Sequence, residues 1–221
     1  MPPNERFAAQ LRGFGLVGIA ALLLILAGTA ITPPLGAVLV LVWTWQSATP
    51  WREIGYVRPA SWIRTTAVGL VFGAAFKLVM KAIVMPLVGA PPINQAHHYL
   101  VGNRAAIPAA LFTFIVGAGW GEETVYRGYL FERLRKLIGS GVGARTAIVL
   151  LTAALFAAVH YFGQGLPGVE QAAITGMVFG AIFAVTERIW TLMVAHAAFD
   201  LTAYALIYWN LESDVAHLLF R

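Results

Sequence analysis

The chain has 221 residues and a net charge of +5, and it is 59% hydrophobic with only 11% charged residues. A soluble domain carries about 25% charged residues, so these proportions exclude an ordinary soluble protein and indicate that lipid surrounds most of the chain. The absence of cysteine excludes disulfides, a cysteine nucleophile and a thiolate-bound metal, and the basic balance fits cytoplasmic loops rather than nucleic-acid binding.

Apolar segments long enough to cross a bilayer follow one another along the chain, since a helical crossing needs about 20 residues. The candidate spans are residues 13–31, 34–49, 66–90, 105–133, 143–162, 168–186 and 189–209. Pro33-Pro34 divides the first two, and Gly163, Gly165 and Pro167 divide the fifth from the sixth. We therefore predict an all-α, polytopic transmembrane helical bundle with about seven spans, or eight if one pass is cryptic.

Basic residues are distributed unevenly between the predicted loops. If the N-terminus is cytoplasmic, only Arg104 and Arg221 fall on the outer side. The inner side then holds Arg6, Arg12, Arg52, Arg58, Arg64, Arg133, Arg135, Lys136, Arg145 and Arg188. The positive-inside rule therefore predicts a cytoplasmic N-terminus and an outer C-terminus. We expect an integral, multi-pass protein of a prokaryotic plasma membrane.

The fourth predicted span contains three charged residues, Glu122, Glu123 and Arg127. Charges at this depth cost several kcal/mol and usually face the bundle interior, where they serve transport or catalysis. Glu123 and Arg127 are four residues apart, so they share one helix face and form a predicted structural ion pair. Glu122 points about 100° away in an α-helix and has no partner in its own helix, which makes it the candidate general base.

Polar residues also occur in the fifth and seventh spans. His160 ends the fifth, and His196 and Asp200 share one face of the seventh. An aspartate one turn from a histidine can fix its tautomer, or can join it in binding a metal or water. The predicted boundaries set the depths of Glu122 and the histidines about 10 Å apart, a separation that tilted helices would have to close.

Several hydrolytic mechanisms are excluded by composition. Three of the four serines lie in predicted loops or tails and Ser47 lies at the end of the second span. One of the two aspartates follows the last span, and no His-Glu-x-x-His helix exists. A glutamate and two histidines remain. They could activate water with no cofactor, or Glu122, His160 and His196 could bind Zn²⁺ and leave a position open for water. The sequence leaves these two alternatives undecided.

Each of these residues also has a purely structural interpretation. A single intramembrane histidine is more often a packed, hydrogen-bonded residue than a ligand, and an isolated Glu–Arg pair can serve stability alone. The combination of a spare glutamate, two histidines and an aspartate on three helices favours function. For Lys77 and Lys81, two lysines one turn apart in the third span, we expect a structural role.

The polar residues form an ordered pattern that resembles a known family. Glu-Glu-x-x-x-Arg at 122–127, Phe-x-x-x-His at 156–160 and His-x-x-x-Asp at 196–200 are similar to the CAAX and bacteriocin-processing (CPBP, or Abi) family. This family includes the type II CAAX prenyl endopeptidases. The resemblance implies a catalytic core over residues 105–206, preceded by transmembrane helices in 1–104 and followed by a tail, 207–221.

The resemblance also implies roles for individual residues. Glu122 would activate water with help from His160, and His196 with Asp200 would stabilise the oxyanion. Asp200 departs from the family pattern, which has asparagine here, and an ionised aspartate cannot donate a hydrogen bond. The expected substrate is a membrane-associated peptide, or a prenylated protein or sorting signal, cut near the lipid bilayer.

Two other functions compete with an intramembrane protease. A non-catalytic immunity or chaperone-like membrane protein could use the same polar core for stability. A proton- or ion-coupled transporter could use Glu122, Lys77 and the histidines, but the sequence has no repeated halves or paired broken helices of the kind that transporters use.

Overall fold

The computed structural model describes residues 5–220, and all of its regular elements in that range are helical. Arg221, one of the two basic residues predicted on the outer side, lies outside the described residues. The helices are α1 (Glu5–Arg12), α2 (Leu16–Ile31), α3 (Pro33–Gln46), α4 (Trp62–Leu87), α5 (Arg104–Ile138), α6 (Val142–Thr186), α7 (Trp190–Tyr208) and α8 (Glu212–Ala216).

The break between α2 and α3 lies where the two prolines predict it. Thr32 has an extended backbone with φ −162°, and α3 begins at Pro33. Proline suits the first turn of a helix because that turn has no acceptor for its missing N–H. The two prolines therefore end one helix and start the next within a single residue.

Helix α6 is 45 residues long but folds back on itself at Gly165, which has φ +63°. A straight helix of that length would measure about 68 Å, more than twice the hydrocarbon thickness of about 30 Å. A Cβ at Gly176 would lie 3.0 Å from Cα of Ala153, and one at Gly180 would lie 3.3 Å from Val149. The two halves are thus antiparallel and closely packed, with the turn at the glycines and Pro167 that predicted it.

Helix α5 is wound unusually around the predicted glutamates. It is π-helical over Thr113–Glu122 and again over Thr124–Tyr129, and α4 has a shorter π-helical turn at Met80–Val84. π-Helical turns widen the backbone spiral and occur frequently at functional sites. The angular spacing of side chains in this part of α5 therefore differs from that of the α-helix assumed in the prediction.

The chain is an integral membrane protein, and the all-α prediction is confirmed for residues 5–220. By length and hydropathy, four helices can cross a membrane, or five if α1 and α2, bent by 63°, form one broken span. The prediction of about seven spans is not confirmed. Helix α3 has only 14 residues, and α6 is counted as one span although its two halves are antiparallel.

Loops predicted on the inner side meet at one end of the bundle. Arg133 donates hydrogen bonds of 2.8 Å to the carbonyl oxygens of Arg12 and Gly13. Arg135 pairs with Glu187 at 3.1 Å. These contacts bring together the α1–α2 turn, the end of α5 and the α6–α7 turn. The three segments were predicted on the same side of the membrane, and they lie at the same end of the bundle. Which end faces the cytoplasm stays a prediction.

The predicted outer loops meet at the opposite end. The backbone N–H of Gly102 donates to the carbonyl oxygen of Tyr208 at 3.0 Å. The backbone N–H of Asn94 donates to the Glu212 carboxylate at 3.2 Å, and Lys81 forms an ion pair with Glu212 at 2.8 Å. The Asn94–Glu212 hydrogen bond thereby connects the loop between α4 and α5 to α8.

Candidate active site

A cavity of about 220 Å³ lies between α5, α6 and α7, towards the end of the bundle that carries the predicted outer loops. Glu122, His160, His196 and Asp200 all line it. The four residues proposed from the sequence therefore share one space, and the expected depth difference of about 10 Å does not separate them. The folded-back course of α6 carries His160 to the cavity, just before the turn at Gly165.

Glu123 links two helices at the buried side of the cavity. Its Oε1 accepts hydrogen bonds from Arg127 Nη1 at 2.8 Å and from His196 Nδ1 at 2.7 Å. The side chains of Glu123 and Arg127 are 0% and 2% exposed. A carboxylate removed from water in this way needs strong partners, and a guanidinium and an imidazole supply them.

The Glu123 contact determines the tautomer of His196. An ionised carboxylate only accepts hydrogen bonds, so Nδ1 must carry a proton. The other ring nitrogen, Nε2, lies 3.7 Å from Oε2 of Glu122 and 3.8 Å from Oδ2 of Asp200. Both distances exceed a direct hydrogen bond, so Nε2 faces the two carboxylates without a hydrogen bond to either.

Glu122 differs sharply from its neighbour in sequence. Its side chain is 18% exposed, whereas that of Glu123 is fully buried. Within residues 5–220, no direct hydrogen bond is made by the Glu122 carboxylate, whose Oε2 lies 3.7 Å from Nε2 of His196. A carboxylate that borders a cavity and has unused lone pairs can accept a proton from a substrate or from water.

His160 presents one nitrogen to the cavity. Its Nδ1 lies 2.7 Å from the carbonyl oxygen of Phe156. A carbonyl only accepts, so Nδ1 donates and Nε2 is the free acceptor in the neutral ring. The ring packs against Phe156 at 4.5 Å between centroids, and Phe156 in turn lies 6.0 Å from His196.

Two aromatic rings, those of Phe156 and Phe179, enclose the buried guanidinium of Arg127. No role in the site was predicted for either ring. The Arg127 guanidinium lies 4.7 Å from the Phe156 ring and 5.6 Å from the Phe179 ring. Phe179 also contacts His196 edge-on at 5.5 Å. Such cation–π contacts stabilise a desolvated guanidinium. The available signal for Phe179 was its position between Gly176 and Gly180, on the face of α6 that packs closely.

A tyrosine outside the helices also supports the active-site helix. The hydroxyl of Tyr56 lies 2.8 Å from Thr124 Oγ1 and accepts from Trp120 Nε1 at 3.0 Å. Burial raises the pKa of the Tyr56 phenol above its ordinary value, so the hydroxyl stays neutral and can donate. This contact anchors the π-helical segment next to Glu122 and Glu123, and no sequence motif pointed to it.

Two further expectations need correction or refinement. Asp200 was one candidate to fix the tautomer of His196, but Glu123 makes that hydrogen bond instead. Of the two lysines expected to be structural, Lys81 pairs with Glu212 whereas Lys77 lines the cavity. His97, in the segment between α4 and α5, also lines the cavity and is half-buried.

The metal alternative was tested against the same geometry. Within residues 5–220, no group of three or more His, Cys, Asp and Glu side chains is arranged to hold a metal ion. The predicted set of Glu122, His160 and His196 has the donor chemistry of a zinc site, but as placed these residues do not form one. The proposed mechanism therefore uses only amino-acid side chains.

Comparison with known proteins adds an independent line of support. No curated protein and no solved structure is significantly similar to the chain. A family model described as "Type II CAAX prenyl endopeptidase Rce1-like" matches residues 104–202. The match confirms the resemblance drawn from the motifs, and the description of that family indicates a protease. Residues 104–202, which hold all six predicted site residues, thus carry the sequence pattern of the Rce1-like type II CAAX prenyl endopeptidases.

Proposed function

We propose that the chain is an intramembrane endopeptidase in which Glu122 activates a water molecule to hydrolyse a peptide bond. The observation that carries this proposal is the contrast between two adjacent glutamates. Glu123 is fully buried and hydrogen-bonded to Arg127 and His196, whereas Glu122 borders the cavity without a direct hydrogen bond in the described part of the chain. The family pattern over residues 104–202 supports the same reaction class.

In the proposed first step, Glu122 takes a proton from water while the water oxygen attacks the scissile carbonyl carbon. A C–O bond forms, and the carbonyl π electrons move to oxygen to give a tetrahedral oxyanion. In the second step the oxyanion collapses and the C–N bond breaks. The proton held by Glu122 passes to the leaving amine, so the carboxylate is regenerated and one water is consumed for each bond cut.

His196 is suited to stabilise the oxyanion. With both ring nitrogens protonated, Nδ1 donates to Glu123 and Nε2 donates into the cavity, 3.7 Å from Glu122. The buried Glu123 carboxylate favours this charged ring because the two groups are in direct contact. A preorganised donor of this kind is worth about 10²–10³ in kcat when it faces the developing charge.

His160 is proposed to assist Glu122. Its Nδ1 is occupied by the Phe156 carbonyl, so its free Nε2 can hold the attacking water or relay the proton to the leaving group. Asp200 lies 3.8 Å from Nε2 of His196 and completes the polar side of the cavity. It adds negative charge next to the imidazolium without contacting it directly.

The proposed substrate is a peptide segment presented at the membrane. The cavity lies among helices that can cross a bilayer, and the matching family model is described as a type II CAAX prenyl endopeptidase. A lipid-modified C-terminus would bring the scissile bond to the site because its lipid partitions into the same bilayer. We therefore propose a CAAX-type or sorting-signal substrate that remains membrane-anchored.

The test is cleavage of a membrane-presented peptide in vesicles by the purified protein. We expect the Glu122→Gln variant to lose at least about 10³-fold in rate, since the amide cannot accept the proton. Glu187→Gln is the control, because Glu187 pairs with Arg135 at the opposite end of the bundle. Equal activity of wild type and Glu122→Gln would eliminate the glutamate mechanism, and the absence of any cleavage by wild type would eliminate the protease.

A further inference from the structure

Lys77 of α4 is a buried cation at the boundary between two cavities. The residue is 7% exposed. It lines the active-site cavity together with Glu122 and Asp200, and it also lines an adjoining cavity of about 260 Å³. Each cavity alone is smaller than the range of about 300–1,000 Å³ that is typical of ligand sites, but the two together fall within it.

Lys77 differs from Lys81, its neighbour one helical turn away. Lys81 is equally buried, at 8% exposed, and its ammonium group pairs with the Glu212 carboxylate at 2.8 Å. Within residues 5–220, no carboxylate lies within 4.0 Å of the ammonium group of Lys77. The fold thus supplies a directly contacting counter-ion to Lys81, whereas the carboxylates that act on Lys77, those of Asp200 and Glu212, lie farther than 4.0 Å from its ammonium group.

The direct partners of Lys77 are all uncharged. Its Nζ donates to Oε1 of Gln171 at 2.7 Å and lies 4.7 Å from the centre of the Phe199 ring. An ammonium group has three N–H donors, so the Gln171 bond leaves two of them without a partner in the described chain. Burying a charge in this incomplete state is unfavourable, and an anionic ligand in the cavity would complete it.

We propose that Lys77 binds the free C-terminal carboxylate of the substrate, with the carboxyl-side product held between Glu122 and Lys77. The proposal rests on the endopeptidase function, since hydrolysis near a chain end requires such a carboxylate to be placed. Glu122 and Lys77 line the same cavity of about 220 Å³, and each residue of an extended peptide spans about 3.3–3.6 Å, so the product held between them is a few residues long. The enzyme would thereby recognise the free C-terminus of its substrate.

A carboxylate fits this position better than a phosphate. Lys77 offers the one positive charge of the two cavities that has no carboxylate within 4.0 Å in the described chain, because Lys81 in the adjoining cavity is paired with Glu212. The nearby side chains Gln171, Asn94 and Gln164 are neutral. The active-site cavity also contains the carboxyl groups of Glu122 and Asp200, which would repel a dianion more strongly than a monoanion. A lipid phosphate or a phosphorylated peptide would call for a cluster of cations.

The test uses two peptides of identical sequence, one with a free C-terminal carboxylate and one with a C-terminal amide, both presented in vesicles. We expect wild type to favour the free acid by at least about tenfold in kcat/KM, as one charge-assisted hydrogen bond would give. Lys77→Met should lower cleavage of the acid to the level of the amide, and Lys77→Arg should retain the preference. Glu187→Gln, at the opposite end of the bundle, is the control and should retain it too.

Binding measured in the Glu122→Gln background separates this proposal from the proposed function. The acid should bind at least about tenfold more tightly than the amide, and adding Lys77→Met should abolish the difference. Equal cleavage of the two peptides by wild type would overturn the role of Lys77 while leaving the protease intact. Discrimination in binding without cleavage would support Lys77 and reject the protease. If Lys77→Met lowers binding of both peptides equally, together with the thermal midpoint, the lysine is structural and the proposal is wrong.

Discussion

His196 donates from Nδ1 to Oε1 of Glu123 at 2.7 Å, and the same oxygen accepts from Arg127 at 2.8 Å. A single carboxylate oxygen therefore ties α5 to α7 and orients an imidazole whose other nitrogen faces the cavity. Oε2 of Glu123 is buried and has no hydrogen-bond partner in the described chain. Both hydrogen bonds of Glu123 therefore depend on one oxygen atom, and substitution of Glu123 tests their contribution to stability.

We expect Glu123→Gln to destabilise the protein much more than Glu122→Gln. Replacing Glu123 leaves Arg127 as a buried cation without a counter-ion, and breaking a buried pair in this way costs about 3–5 kcal/mol. Glu122 makes no direct hydrogen bond in residues 5–220 and borders the cavity, so its amide variant should unfold near the wild-type temperature. Thermal unfolding in detergent measures both variants. Similar midpoints for the two would show that Glu123 is not the structural member.

A second prediction concerns the close approach of α5 and α7. A Cβ at Gly119 would lie 2.8 Å from the carbonyl oxygen of Met193 and 2.9 Å from Cβ of Ala197. Both obstacles are backbone or near-backbone atoms that cannot rotate away. We expect Gly119→Ala to separate the helices, to lower the thermal midpoint, and to reduce cleavage because His196 moves with α7.

Gly117, two residues earlier on the same helix, provides the control for that substitution. Among residues 5–220, the one atom within 4 Å of an added Cβ is a methyl carbon of Thr113 at 3.9 Å. Gly117→Ala should therefore keep the wild-type midpoint, or raise it slightly, because alanine favours a helix over glycine. A midpoint for Gly119→Ala as high as that for Gly117→Ala would contradict the close contact.

Much of the site was predictable because intramembrane charges are rare and costly. Glu122, His160, His196 and Asp200 were singled out on that ground, and they line one cavity. Glycine and proline positions likewise predicted the break at Thr32 and the turn at Gly165. In both cases a local physical rule, burial cost or backbone geometry, decides the outcome without knowledge of the rest of the fold.

Contacts between distant segments could not be predicted in the same way. Spacing within one helix suggested that Asp200 fixes the tautomer of His196, but Glu123 on another helix makes the hydrogen bond that does so. The π-helical winding of α5 changes which side chains share a face, and an α-helical period cannot anticipate it. The role of Lys77 depends on where Glu212 lies, and that position is a property of the tertiary fold.

His97 leads to a prediction about the pH dependence of stability. Burial lowers the pKa of the His97 imidazole below its ordinary value of 6.5, although the Asp200 carboxylate acts in the opposite direction. Between the lowered pKa and the ordinary one, the unfolded chain binds more protons than the folded chain, so stability falls as pH falls. We expect His97→Gln to lose less of its thermal midpoint than wild type between about pH 7 and pH 5.

The neighbouring histidine provides the control for this measurement. His98 is exposed, so His98→Gln should follow the wild-type pH dependence over the same range. The comparison is made as a difference between variants because other acidic groups titrate in every sample. If His97→Gln and His98→Gln show the same pH dependence as wild type, then protonation of His97 is not coupled to folding.

The last prediction concerns Asp200, which stands where the resembling family has asparagine. Asp200 lies 3.8 Å from Nε2 of His196, too far to orient the ring, and Glu123 already holds the other nitrogen. We therefore expect Asp200→Asn to keep its cleavage rate within about tenfold of wild type, a change of about 1.4 kcal/mol in the barrier. The asparagine amide can also donate a hydrogen bond to an oxyanion, which an ionised aspartate cannot do. Asp200→Ala, which removes both charge and donor, should lower the rate further. Cleavage rates of the two variants, measured on the same membrane-presented peptide, decide the point: a loss in Asp200→Asn as large as that in Glu122→Gln would mean that the negative charge of Asp200 takes part in the chemistry.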